Sequence, residues 1–300
     1  MNIFGLLASF GGGAFAASIG ALPAFIMTGV FAVAGAAAGM CGGSGAGFLT
    51  GTMAFGPFFG PYVSFAGGVA AHAYAKKKGY VENGAGIAQA LGGLNKPDVL
   101  CVGGIFGVIG YLLFTLVYNP FLAGGLSPKF ATDSGIIVFF SGVLVRLVFG
   151  GKMRTGDETL SKGDALNTVI AIGALYSLVV CAVYAFAVQT ADPAALELIQ
   201  ANYHVLVFGM AGVGLIFAEF GQPFFGCHHI VIMSAEAVNM CYKTSGNLFM
   251  AVIAGIIVGI CAALLCDFEG KMWNSGTDSH IDGPAFAIFI MTFVVNAIWG

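Results

Sequence analysis

Long runs of apolar residues follow one another along almost the whole chain, and only short polar stretches separate them. A helix needs about 20 apolar residues to cross the hydrocarbon core of a bilayer, with a range of roughly 17–25. Runs close to this length predict about ten transmembrane helices, and the connecting stretches are too short to fold as a soluble domain. The runs cover residues 4–20, 22–40, 57–75, 98–118, 134–150, 165–188, 203–220, 223–240, 247–267 and 283–299.

A motif rich in proline and phenylalanine occurs twice, as Phe-Gly-Pro-Phe-Phe-Gly at 55–60 and Phe-Gly-Gln-Pro-Phe-Phe-Gly at 220–226. Each copy comes before a short apolar run that ends in lysine. Backbone that leaves a helix at membrane depth must be buried in protein or line a wet cavity. The motifs therefore predict broken or re-entrant helices, and paired breaks often form a central solute site. The alternative is that Pro57 and Pro223 begin ordinary helices, a position that suits proline.

A second motif, Thr-Asp-Ser, precedes the last apolar run of each half, at 132–134 and 277–279. The two motifs occur in the same order in each half, which predicts a duplication with repeat one at 1–150 and repeat two at 151–300. The repeats are expected to form one intertwined membrane domain. The Thr-Asp-Ser side chains suit helix N-caps, and a direct role for their carboxylates in binding a solute or ion is the alternative.

Five spans in each half require the second half to start on the opposite side of the membrane, so the repeats are expected to be inverted. The basic residues agree, because Lys76–Lys78 follow the third span and Lys152, Arg154 and Lys162 follow the fifth. The positive-inside rule places both groups in the cytoplasm. The layout resembles, at fold level, the urea channels and other inverted-repeat transporters. This likeness is architectural and gives no residue a role.

Composition supports the same class of protein. Hydrophobic residues make up 58% of the chain and charged residues 8%, whereas soluble domains carry roughly 25% charged residues. A net charge of −3 argues against a nucleic-acid partner. The expected partners are the lipid bilayer and a small solute or ion. Whether the chain forms a homo-oligomer stays open. We expect a multi-pass protein of a cell membrane, with a prokaryotic inner membrane as its location, and no cofactor.

Ionisable residues inside spans are costly and mark function by default. Glu219, Glu236, His228 and His229 lie at or near the second break, and Arg146 is expected to extend its charge to the interface from the end of the fifth span. The predicted solute or ion pathway consists of the two breaks and the ionisable groups around them. It comprises Pro57, Phe58, Phe59, Gly60, Asp133, Glu219, Pro223, Phe224, Phe225, Gly226, His228, His229, Glu236 and Asp278.

These patterns favour a transporter or channel for a small solute or ion, and we expect no catalytic activity. One alternative is a transition-metal cation carrier that uses Cys227, His228 and His229, because sulfur and imidazole suit such ions. The adjacent side chains of that segment point in different directions, so it is a weak candidate. An integral membrane enzyme and a non-catalytic membrane subunit are the remaining alternatives. The substrate itself is not predicted.

Overall fold

The computed structural model describes residues 2–125, 127–154 and 156–300, and these residues form α-helices and no β-strand. The all-α prediction is therefore confirmed for the described chain. The helices are α1 (Ile3–Ile19), α2 (Ala21–Met40), α3 (Ser64–Lys77), α4 (Pro97–Leu113), α5 (Gly135–Phe149), α6 (Asp164–Thr190), α7 (Pro193–Gly214), α8 (Ile216–Glu219), α9 (His228–Ser245), α10 (Leu248–Trp273) and α11 (Gly283–Trp299). Two further segments are π-helical. Phe48–Ala54 precedes the first break, and Phe114–Leu122 extends α4.

Six helical segments are long and apolar enough to cross a membrane, rather than the ten that the sequence predicted. They are Ala21–Met40, Pro97–Leu122, Pro128–Phe149, Asp164–Thr190, Pro193–Glu219 and Leu248–Trp273. The other four predicted spans correspond to α1, α3, α9 and α11. Helices α1 and α11 have 17 residues and α3 has 14, because the first break shortens α3. Helix α9 has 18 residues, but its histidines, Glu236 and Lys243 make it less apolar.

Glycine allows the helices to pack closely. Helices α1 and α4 run antiparallel, and Gly13 lies directly against Gly103 and Gly107. Helices α6 and α10 also run antiparallel, with Gly259 against Ser177. Small residues thus bring the helix backbones together at both crossings, as they commonly do in membrane helices.

The same pairs of helices meet in the first and second parts of the chain. Helix α3 packs on α1, α4 and α5, and α9 packs on α6, α10 and α11. Two further pairs of helices connect the first part of the chain to the second. Helices α2 and α7 are antiparallel, since Gly29 lies against Gly209 and Gly39 against Asn202. Helices α5 and α11 are antiparallel too, and their first turns lie side by side.

A buried arginine ties the end of α5 to the segment between α10 and α11. Arg146 is only 1% exposed. Its guanidinium donates hydrogen bonds to the carbonyl oxygens of Met153, Trp273 and Ser279 and to the Ser279 hydroxyl. The expectation that Arg146 extends to the interface is therefore wrong. Its five N–H donors are directed at a folded loop instead of at water.

Candidate functional site

The first Pro-Phe-Phe-Gly segment lies between helical segments, and side chains satisfy its free carbonyls. The Thr28 hydroxyl of α2 donates to the carbonyl oxygen of Phe59 at 2.6 Å, and the Ser64 hydroxyl donates to the same oxygen at 3.1 Å. Tyr62 donates its phenolic hydrogen to the carbonyl of Phe55 at 2.7 Å. These bonds replace those that a continuous helix would have made, so the break at Pro57 is fixed in place.

The second Pro-Phe-Phe-Gly segment is built differently. Helix α8 ends at Glu219, and the residues from Gln222 to Cys227 have no regular secondary structure until α9 begins at His228. The Phe224 ring packs against Phe217 with centroids 5.7 Å apart. Both motifs thus interrupt the helices, as the sequence predicted.

A cavity of about 480 Å³ lies between the two breaks. Residues from both parts of the chain form its wall, including Phe25, Phe65 and Val138 from the first part and Phe208 and Ile232 from the second. Its volume falls within the range of roughly 300–1,000 Å³ that is common for small-molecule sites. The arrangement can hold a small molecule in a largely apolar environment.

Four helices begin at the wall of this cavity: α3, α5, α9 and α11. Two of them carry a carboxylate at their first turn. Asp133 accepts a hydrogen bond from the Gly135 backbone N–H at 2.6 Å, and Asp282 accepts one from the Ala285 N–H at 2.8 Å. A helix N-terminus carries about half a positive charge, which stabilises a carboxylate placed there.

Other polar groups in the wall lack such partners. Glu236 lies inside α9, and among the described residues no hydrogen bond holds its carboxyl group. The His228 ring lies between Phe25 and Phe208, with centroid distances of 4.8 Å and 5.8 Å. His228 is only 6% exposed, and its Nδ1 atom has no hydrogen-bond partner. His204 also lines the cavity.

The fold and the cavity can now be compared with known proteins. A family of unknown function, DUF7973, matches residues 1–163 and 170–299, which is most of the chain. The chain belongs to the DUF7973 family. No curated protein and no solved structure matches it.

The structure of this DUF7973 chain brings only some of the predicted pathway residues to the cavity. Asp133, Gly226, His228 and Glu236 line it. Most of the motif residues do not line it, namely Pro57, Phe58, Phe59, Gly60, Pro223, Phe224 and Phe225, whereas Phe55, at the start of the first motif, and Pro61, just after it, do. The breaks therefore position the start of α3 and α9 and contribute little of the surface.

The remaining predicted residues lie elsewhere. Asp278 is exposed and forms an ion pair with Lys76 at 3.5 Å. His229 is 1% exposed, and neither of its ring nitrogens has a hydrogen-bond partner. Glu219 is half-buried at the end of α8, with its Oε1 atom unpartnered. These three residues do not line the cavity.

Several wall residues were not among the predicted ones. His280 and Asp282 lie in the wall and contact each other at 3.3 Å, so Asp282 occupies the place that the motif comparison gave to Asp278. Tyr118 lines the cavity from the π-helical extension of α4 and donates to the Thr132 carbonyl at 3.0 Å. The sequence feature that could have identified Asp282 is its position as a charged residue directly before the apolar run at 283–299.

A metal site has little support in the described residues. Within them, no group of three or more His, Cys, Asp or Glu side chains has the geometry to hold a metal ion. Cys227 does not line the cavity that His228 faces. The Cys-His-His segment thus starts α9 without forming a ligand set.

Proposed function

We propose that this chain is a membrane transporter or channel for a small solute or ion, with a pathway through the central cavity. The observation that carries the proposal is the convergence of four helix starts and several ionisable side chains on one cavity between the two parts of the chain. Transporters with broken helices place their solute sites in this way. A purely structural membrane bundle has no need for such a cavity.

We propose further that 1–150 and 151–300 are inverted repeats. The matching helix pairs support this, since α1 with α4 corresponds to α6 with α10. Corresponding helices α2 and α7 run in opposite directions, and so do α5 and α11. In this interpretation α1, α9 and α11, with 17 or 18 residues each, cross most of the bilayer, while α3, with 14 residues, starts at the first break and crosses less of it.

The positions of the basic residues support one orientation. The end of α3 contacts the end of α5, because Lys77 donates to the Val148 carbonyl at 2.9 Å, and the loop after α5 meets the end of α10 through Gly156 and Met272. Most Lys and Arg residues lie at this end, namely Lys76, Lys77, Lys78, Lys96, Lys152, Arg154, Lys162 and Lys271. Lys129 and Lys243 lie at the other. By the positive-inside rule, the basic end faces the cytoplasm.

This orientation can be tested with single cysteines in a variant that lacks the seven native ones. We expect Lys77→Cys and Arg154→Cys to react with an impermeant maleimide only from the cytoplasmic side, and Asp192→Cys only from the opposite side. Labelling is read in right-side-out and inverted vesicles. Reaction of positions 77 and 154 on different sides would contradict the inverted arrangement.

The pathway can be tested by the access of water-soluble reagents to the cavity. We expect Val138→Cys and Ile232→Cys, one in each half, to react with a small methanethiosulfonate reagent in proteoliposomes. Ala263→Cys is the control, because that position is fully buried in α10 and lies outside the cavity. If both cavity cysteines stayed as unreactive as the control from either side of the membrane, the proposed pathway would be wrong.

A further inference from the structure

The charges in the cavity wall are unbalanced. Three carboxyl groups line it, those of Asp133, Glu236 and Asp282, and no lysine or arginine among the described residues does so. Asp282 has His280 as a neighbour at 3.3 Å. Asp133 and Glu236 line the same cavity, and among the described residues neither has a lysine or arginine beside it in the wall. Carboxylates that share one largely apolar cavity repel each other unless a cation or a proton lies between them.

The helix N-termini do not remove this imbalance. Asp133 and Asp282 already occupy the first turns of α5 and α11 and accept their N–H groups. A carboxylate carries a full negative charge, whereas a helix N-terminus carries about half a positive one. The Asp133 end of the cavity therefore keeps a net attraction for a cation, and Glu236, far from the start of α9, adds to it.

The rest of the wall is aromatic and apolar. Phe25, Phe65, Phe114 and Phe208 line the cavity together with Tyr118. Aromatic faces attract organic cations and also bury apolar groups. The His228 ring, held between Phe25 and Phe208, adds a further aromatic surface to the wall. An inorganic ion would leave most of this apolar surface without a contact.

We propose that the solute is a small protonated primary or secondary amine with an apolar body. Its ammonium group binds at Asp133 and Glu236, and its apolar part lies against the phenylalanine wall. Its N–H groups donate to the carboxylates, which a quaternary ammonium group could not do. Transport of such an amine rests on the proposed function, whereas its binding does not.

Three probes of nearly equal size and different charge test this inference. Binding of 2-phenylethylamine, 2-phenylethanol and 3-phenylpropionate to the purified full chain is measured by titration calorimetry at neutral pH. We expect the amine to bind at least about tenfold more tightly than the alcohol, a difference that corresponds to about 1.4 kcal/mol. We expect the carboxylate to bind most weakly, because like charges repel.

Matched variants locate the site. Glu236→Gln and Asp133→Asn should each weaken amine binding about tenfold and leave alcohol binding unchanged, since each keeps the shape and removes one charge. Asparagine also retains the ability to cap α5. Glu197→Gln is the control, because Glu197 is exposed on α7 and lies outside the cavity. Its amine affinity should equal that of the unaltered chain.

The outcomes separate the two proposals. Equal affinity for amine and alcohol, tighter binding of 3-phenylpropionate, or no loss of amine affinity in either cavity variant would overturn the inference about the solute. Absence of amine binding would overturn it as well. Amine binding that depends on Glu236, without uptake of labelled amine into proteoliposomes, would support the binding site and count against the proposed transport.

Discussion

Replacing Arg146 with methionine is expected to lower the free energy of unfolding by about 3–5 kcal/mol, which is typical when one partner of a buried charged network is removed. The change leaves the carbonyls of Met153 and Trp273 without their donor and removes one of the two donors to the Ser279 carbonyl, which keeps the Thr277 hydroxyl. Each buried acceptor left unpaired costs about 1–3 kcal/mol. It also removes a donor to the side chain of Asn274, which in turn donates to the carboxylate of Glu269, a residue only 1% exposed. Thermal unfolding in detergent measures the loss.

Lys152→Met is the matched control for this experiment, because Lys152 is exposed in the loop that follows α5. We expect its melting temperature to stay close to that of the unaltered chain. The melting temperature of Arg146→Lys should lie between those of Arg146→Met and Lys152→Met, since lysine keeps the charge but has three donors instead of five. An Arg146→Met protein as stable as the Lys152→Met control would show that the network contributes nothing.

The second large effect is expected at the crossing of α1 and α4. In Gly13→Ala the new methyl group would overlap the carbonyl oxygen of Gly103, and backbone atoms cannot turn aside as a side chain can. Overpacking in a tight interior costs about 1–3 kcal/mol, and this site should lie at the upper end. We expect a lower melting temperature and a lower yield of monodisperse protein on size-exclusion chromatography.

Gly11→Ala provides the control two residues earlier in the same helix. A methyl group at Gly11 meets no atom within 4 Å. Alanine is favoured over glycine inside a helix by about 1 kcal/mol, so Gly11→Ala should be at least as stable as the unaltered chain. Equal melting temperatures for the two variants would contradict the close contact of α1 with α4.

The membrane class and the positions of the breaks could be predicted from the sequence because both depend on local composition. A run of apolar residues predicts a span wherever it lies, and a proline between glycines interrupts a helix in most surroundings. The number of long spans could not be predicted in the same way. Helix α3 has 14 residues because the chain stays irregular through Tyr62 and Val63, where tertiary hydrogen bonds and packing decide the conformation.

Four of the predicted residues line the cavity. His228 and Glu236 were predicted because ionisable side chains are rare in apolar runs, and Asp133 and Gly226 because they belong to the Thr-Asp-Ser and Pro-Phe-Phe-Gly motifs. Phe25 and Tyr118 were missed, because a chain with 28 phenylalanines and 9 tyrosines gives no sign of which rings face a cavity. Asp278 was predicted because it belongs to the second Thr-Asp-Ser motif, whereas Asp282, which immediately precedes α11, is the carboxylate that lines the cavity.

Arg146 shows a different kind of limit. A cation near the end of an apolar run usually reaches the water interface, and the sequence contains no sign that a loop more than a hundred residues later folds over it. The hydrogen bonds to Trp273 and Ser279 connect residues 127 and 133 positions apart. Contacts of that separation depend on the whole topology, which a local pattern does not determine.

The two breaks differ in how firmly they are held. Three side-chain hydroxyls fasten the first one to its surroundings, whereas no side-chain hydrogen bond reaches residues 220–226 in the described part of the chain, and Phe220 at its start is 72% exposed. A segment held by fewer bonds opens at a lower free-energy cost. The first break is therefore the stiffer of the two segments, and backbone motion should concentrate at the second one, which leads into α9.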